Sequence, residues 1–172
     1  MKTSHELSGI PLGWADRCAI AVRQILLGND KLKTFTDGKV RRAILLALPA
    51  GLPPDCILVA AGLPRLKEAG IGACTTLLLP IQIGVCWEQP MELLEDEDAT
   101  IASIFAEIIR EIVAHSTLKV PTYGNKRLVD KISDIRPLGP PMYQGGQGSV
   151  TILDFIEIEF QVELDAKVWD IE

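Results

Sequence analysis

The sequence predicts an α+β fold, a mostly antiparallel β-sheet packed against about two α-helices. Three observations lead there. Residues 75–88 and 149–165 alternate residue by residue between two faces, the pattern of strands. Residues 14–27 and 101–112 repeat apolar side chains at steps of three and four, the pattern of amphipathic helices. The Pro and Gly clusters between them are short and flanked by core-type sequence, so residues 1–172 read as one domain. Residues 1–13 read as an N-terminal extension and 138–149 as a Pro/Gly/Gln-rich loop.

The first helix places Trp14, Cys18, Ala21, Val22 and Ile25 on one side, with Asp16 in its first turn and Gly28 as its stop. Residues 28–42 then read as a polar loop or ribbon carrying Lys31, Lys33, Lys39, Arg41 and Arg42, with a turn at Asp37 and Gly38. Buried strands are expected at 43–48 and 56–63, on either side of the helix-breaking PAGLPPD, and a loop at 64–73. The next strand, 75–88, sets Leu77, Leu79, Ile81, Ile83, Val85 and Trp87 on one face. Pro80 cannot donate to a ladder, which implies an edge or a bulge at that point.

In the second helix Ile101, Ile104, Phe105, Ile108 and Ile112 face one way and Glu107, Arg110 and Glu111 the other. The acids from Asp96 to Asp98 precede it, where each favours the positive end of the helix dipole by about 0.3–1 kcal/mol. A strand is expected around 129–136, then a flexible loop or hairpin tip at 138–149. The closing strand, SVTILDFIEIEFQVELD, puts Ile156, Ile158, Phe160, Val162 and Leu164 on one face and Glu157, Glu159, Gln161 and Glu163 on the other. At ~3.3 Å per residue it spans about 50 Å, so it is expected to bend or run past its sheet. Asp154 falls on the apolar side, which suggests a bulge or a sheet exit there.

Composition narrows the function. With 48% apolar and 23% charged residues the chain reads as an ordinary globular protein, and a net charge of -6 argues against a broad phosphate-binding surface. The longest apolar runs are broken by Pro or Gly and fall short of the ~20 residues that span a bilayer. The start has no apolar stretch of a secretory signal, so the chain is expected to stay in the cytoplasm after synthesis. Cys18, Cys56, Cys74 and Cys86 include no C-x-x-C pair and sit among apolar residues; buried reduced thiols are expected. A zinc site would need His5 or His115 to join them from a distance.

Catalytic patterns are scarce. His5 and His115 are the only histidines, and His115 falls where a helix end favours a cation. GGQGS at 145–149 precedes a strand and is no nucleophile elbow, and GNDKLKT at 28–34 lacks the glycine and the strand of a phosphate loop. The EDED run offers no spaced calcium ligands. Glu157, Glu159 and Glu163 repeat along a face instead of converging, as a solvated strand face would. The basic residues of 31–42 fit either a solvated loop or a contact with the acids of 95–98 on a neighbouring copy.

The succession of elements carries a resemblance. A helix ending in LLG, a basic segment, CILVAAGL and TTLLLPIQIGVCWE are followed by DATIASIFAEIIREIVAH, VDKISDIRP and VTILDFIEIEFQVEL. In this order the chain resembles, over residues 14–165, the tail terminator (tail completion) proteins of long-tailed bacteriophages, and more loosely other head-to-tail joining proteins. The likeness is one of shape more than of any sharp motif.

The resemblance implies a non-enzymatic structural protein of the virion tail or neck, assembled in the host cytoplasm. It would form a homo-hexameric ring on the head-proximal end of the tail tube, stop tube polymerisation and offer the joint to a head-completion or neck protein. DNA would pass through its channel without specific binding; no cofactor, metal or membrane is implied. On this reading Glu157, Glu159, Glu163 and Asp165 are candidates for a DNA-repelling lumen. Lys31, Lys33, Arg41 and Arg42, with Glu95, Asp96 and Asp98, are candidates for subunit contacts. Gln144, Gly145, Gly146 and Gln147 are candidates for touching the tube or the neck. A neck adaptor, a tail tube subunit and a soluble single-partner adaptor stay open. So does a small enzyme that binds a divalent metal through Glu157 with Glu95 or Asp98.

Overall fold

Two long strands that pair with each other along their whole length form the frame on which everything else rests. The computed structural model of the chain describes residues 13–36, 40–42, 55–67, 74–90, 97–145 and 148–165. In chain order these form α1 (Trp14–Gly28), α2 (Asp30–Thr36), β1 (Val40–Arg42), β2 (Cys56–Ala61), β3 (Arg65–Lys67) and β4 (Cys74–Pro90). There follow α3 (Glu97–Ala114), a 3₁₀ turn (Pro121–Tyr123), β5 (Lys131–Pro137), β6 (Met142–Gly145) and β7 (Ser149–Asp165). The fold is α+β, as expected, with a sheet in the order β1-β2-β4-β7-β5. β3 extends the β2 side of β4, and β6 extends the β5 side of β7. All pairings are antiparallel except β1 with β2.

β4 and β7 run in unbroken register from the Cys74–Asp165 pair to the Pro90–Ser149 pair. Their shared inner face is apolar: Leu79, Ile81, Ile83, Ile158 and Phe160 are fully buried, each worth roughly 1.5–3 kcal/mol when removed from water. Onto it pack α1, through Cys18, Val22, Ile25 and Leu26, and α3, through Ile104, Phe105, Ile108 and Ile112. Trp14 fastens the start of α1 by donating its Nε1–H to the Leu128 carbonyl at 2.8 Å.

Several expectations are corrected. The basic segment is not a loop or ribbon: it forms α2 and then β1, giving three helices among the described residues. α1 runs through Gly28, and its stop is Asn29. The Oδ1 of Asn29 accepts the N–H groups of Lys31 and Leu32 at 3.0 Å each, starting α2, which buries Leu32 and Thr36. β2 ends at Ala61, short of Leu63, and the expected loop after it contains β3. The Pro/Gly/Gln-rich segment, expected as a flexible loop or hairpin tip, contains β6, which pairs antiparallel with the start of β7 as a hairpin would. The expected turn at Asp37 and Gly38, the strand at 43–48, residues 1–12, and Glu95, Asp96, Gly146 and Gln147 lie outside the described residues.

Pro80 has a neighbour on both sides, yet the sequence argument survives in local form. β2 ends opposite Ile81 and β3 begins opposite Leu78, so Pro80 sits at the gap between them. The Gly62 N–H donates to the Pro80 carbonyl at 2.8 Å, so the backbone of Pro80 faces that gap, where a missing N–H breaks no ladder bond. Glycine is needed at 62, because an added Cβ would stand 2.8 Å from the Pro80 ring.

Asp154 shows no bulge: it pairs in register with Val85 on the inner face. What changes there is the partner on the other side, from β6 at 150–153 to β5 at 156–161. The register shift of the sheet lies in β5, between Ile132 and Asp134.

Candidate assembly surface

The face of the ribbon turned away from α1 and α3 is built by the alternate residues of β4 and β7. Glu157 stands opposite Gln82, Glu159 opposite Pro80 and Gln161 opposite Leu78. The neighbouring strands bring cations to the same face: Arg136 of β5 pairs in register with Glu157, and Arg65 of β3 with Leu78. Arg136 makes an ion pair with Glu157, whose other oxygen accepts Gln82 Nε2–H at 3.3 Å. Arg65 makes an ion pair with Glu159.

This face is therefore not the solvated acidic strip that alternation implied. Glu157, Glu159 and Gln161 are buried, and of the acids proposed for a lumen Glu163 is exposed while Asp165 ends the strand. The reason is invisible along one strand: β3 and β5 supply the arginines whose stems cover the carboxylates. Five basic residues, Arg41, Arg65, Lys67, Lys131 and Arg136, share the register parity of this face with six acids, Glu88, Asp134, Glu157, Glu159, Glu163 and Asp165. The two signs are interspersed.

Toward the other end of the same face the chemistry turns apolar. Cys56, Leu58, Cys86 and Leu153 form a second buried cluster, with Phe155 packed against it. Cys56 and Cys86 are directly paired across β2 and β4. The hydrogen bond that the Cys86 thiol donates to the neighbouring Cys56 sulfur, together with burial, pushes the Cys86 thiol far up, and burial alone raises Cys18 to about 12. These three thiols are buried and reduced, as expected.

No protein-family model and no curated protein matches this chain. Among solved structures, a chain from the virion of a native gene transfer agent (GTA) particle is similar, with a TM-score of 0.44 and 14% identity. The match covers 83% of this chain and 93% of that one.

The residues proposed for subunit contacts are dispersed. Lys31 reaches Glu107 of its own α3 at 3.8 Å, while Lys33 is exposed on α2. Arg41 and Arg42 lie on β1, paired with Leu58 and Val59, at the β2 flank of the sheet. Asp98 lies in the first turn of α3. Gln144 and Gly145 are exposed on β6 at the opposite flank. Among the described residues no group of three or more His, Cys, Asp or Glu is placed to hold a metal, and Glu157 is committed to Arg136 and Gln82. No described helix is long and apolar enough to cross a membrane.

Two features had no clear signal in the sequence. Phe35 and Trp87 stack at 5.0 Å with ring planes 12° apart, bordering an open groove of about 530 Å³ also lined by Leu32, Ser103 and Ile104. Asn29 is the other: besides capping α2, its Nδ2 donates to both Glu107 and Glu111 at 2.9 Å. One side chain thus joins all three helices.

Proposed function

We propose that this chain is a non-enzymatic structural protein of a phage-like virion. It would form a ring on the head-proximal end of the tail tube, ending tube growth and presenting the joint to the head or neck. The observation that carries the reading is the β4–β7 ribbon, two 17-residue strands paired at every position. Such a rib holds two sheet flanks at a fixed separation, and a subunit that meets one neighbour on each flank needs such a frame. Helices on one face of a mostly antiparallel sheet also support the reading, since that is the architecture the resemblance implies.

The charge pattern supports a channel wall or joint that does not grip DNA. The sheet face away from the helices intersperses arginine and lysine with acids instead of presenting the clustered cations that hold phosphate. Glu163 and Asp165 would be its lumen-directed acids, with Glu157 and Glu159 held in their pairs behind them. Contacts between copies would draw on Lys33 of α2 and on Arg41 and Arg42 of β1, and Gln144 and Gly145 would face the tube or neck.

Purified tail tubes mixed with the protein, viewed by negative-stain electron microscopy, test the reading. Binding confined to one end, as rings, with no tube elongation beyond them is the expected result. Failure to bind tube ends, or binding along tube walls, would overturn it. Co-assembly into the wall would instead favour a tube subunit.

A further inference from the structure

Two cysteines stand directly opposite each other in the sheet. Cys56 opens β2 and pairs in register with Cys86 of β4, and both are buried in the cluster with Leu58 and Leu153 on the face away from the helices. The Cys86 thiol donates a hydrogen bond to the Cys56 sulfur, so the two sulfurs are neighbours. Cys18 is set apart from them in the helix-side core, across the sheet. Cys74 begins β4, twelve positions from Cys86 and so about 40 Å along the strand. Neither reaches this pair.

The strand register fits a disulfide at these positions. The Gly62 N–H donates to the Pro80 carbonyl at 2.8 Å, which makes 62 and 80 a hydrogen-bonded pair of the antiparallel ladder. Hydrogen-bonded and open pairs alternate, and the register runs unbroken from Ala61–Ile81 to Cys56–Cys86. Six positions on from Gly62, Cys56 therefore forms a hydrogen-bonded pair with Cys86 as well. Such a pair holds its Cα atoms about 5.5 Å apart, inside the ~4.4–6.8 Å that a disulfide bridges. Its Cβ atoms start about 5 Å apart and must close to about 4 Å, and the strain of that approach leaves the bond easy to reduce again.

We propose that Cys56 and Cys86 are a reversible redox site, closing under a small peroxide to a disulfide that staples β2 to the ribbon. One thiol loses its proton to water, and the thiolate attacks a peroxide oxygen. The S–O bond forms, the O–O bond breaks, and the departing hydroxide takes up the proton. The second thiol then attacks the sulfenic sulfur; the S–S bond forms, the S–O bond breaks, and the hydroxide leaves as water with the second proton. Two thiols lose two electrons, and one peroxide is reduced to two waters. The hydrogen bond to Cys56 and burial keep the Cys86 thiol protonated, so the reaction is slow and speeds up as pH rises. The bond closes a loop of about 30 residues and ties down β2, and through it β1 with Arg41 and Arg42. The site stands whether or not the ring reading does. In a particle protein it would stay open in the reducing cytoplasm during assembly and close after release.

The full chain, treated with hydrogen peroxide and then alkylated in denaturant, is mapped without reduction by mass spectrometry of chymotryptic peptides, which separate Cys74 from Cys86 at the leucines between them. The expected product joins the peptides of Cys56 and Cys86, is lighter by about 2 Da than the two thiol forms together, and is split by dithiothreitol. The double variant Cys18→Ala, Cys74→Ala should keep the bond, and Cys56→Ala or Cys86→Ala should abolish it. The Tm of the oxidised wild type should exceed that of the reduced protein by about 5 °C, a gain that dithiothreitol removes and Cys86→Ala does not show. Circular dichroism verifies each fold; where a variant does not fold, the wild-type map and its Tm decide alone. Peroxide that leaves both thiols free, carries them to sulfinic or sulfonic acid without the cross-link, or joins other cysteines would overturn the site. A bond without a rise in Tm would overturn the staple. Tail tubes are absent from every sample, so neither result bears on end capping.

Discussion

The ring of Phe155 lies across the backbone of Gly84, its partner on β4, so closely that a Cβ built on the glycine would stand 2.5 Å from Cε1. The glycine makes room for the ring to close over Cys56, Leu58, Cys86 and Leu153. A strand normally favours alanine over glycine by roughly 0.5–1 kcal/mol, so this position opposes the intrinsic preference. Gly84→Ala is expected to destabilise by about 1–3 kcal/mol through overpacking, measured as a shift of the urea midpoint. Adding Phe155→Leu should remove most of that penalty. Additive effects of the two substitutions would mean that the close approach is not the cause.

The ion pairs on the same face are lopsided. The Glu157 side chain is 8% exposed against 46% for Arg136, and Glu159 is 10% exposed against 52% for Arg65. Each acid thus depends on an arginine reaching in from solvent, and the hydrogen bond that Arg136 donates to Glu157 in turn raises the Arg136 pKa. Removing one partner of a desolvated pair leaves a charge without compensation, whereas removing both does not. Arg136→Met alone should therefore lower the urea midpoint more than Arg136→Met combined with Glu157→Leu. The opposite order would show that Glu157 is solvated well enough without its partner.

Asp154 points the pH dependence in a direction opposite to that of a paired acid. Burial raises its carboxyl above the ordinary value, and the hydrogen bond from the Phe155 N–H at 2.8 Å offsets this only in part. With the folded pKa above the unfolded one, the contribution to stability is greatest below the unfolded pKa and is lost as pH rises through the folded pKa. At neutral pH the charged form is a burden. Asp154→Asn should raise Tm at pH 7 and show a smaller or no gain well below pH 4. An equal effect at both pH values would locate the cause in packing instead of charge.

Which parts of this architecture were legible in the sequence follows from what period-two and period-3.6 patterns can report. The two long strands and the two long helices announced themselves because one face of each is buried against a common core. α2 did not, because a seven-residue helix shows less than two full repeats, and its signal was a single cap, Asn29, followed by Leu32 at three residues' distance. β3 and β6, three and four residues long and exposed, bury too little to leave a pattern. The acids of β7 were found at the right positions and given the wrong surroundings. Alternation says which face a side chain takes, but Arg65 and Arg136 reach that face from β3 and β5, and their placement depends on strand order.

Asn29 separates two contributions that pH can resolve. Its Oδ1 caps α2 and its Nδ2 binds Glu107 and Glu111. That hydrogen bond is the leading cause of the lowered Glu107 pKa, with Arg110 and then Lys31 adding to it and burial opposing. A depressed folded pKa gives stability that is present above the unfolded value and lost as pH falls through the folded one. Asn29→Ala should therefore lower stability most near neutral pH, and the deficit should shrink below about pH 4 toward the loss of the cap alone, about 1 kcal/mol. Asn29→Asp keeps the capping oxygen but sets a carboxylate beside Glu107 and Glu111, so it should be destabilising at neutral pH and recover on acidification. Urea unfolding of the three proteins across that pH range is the measurement. A deficit in Asn29→Ala that does not change with pH would assign the whole effect to the start of α2 and none to the bridge across to α3.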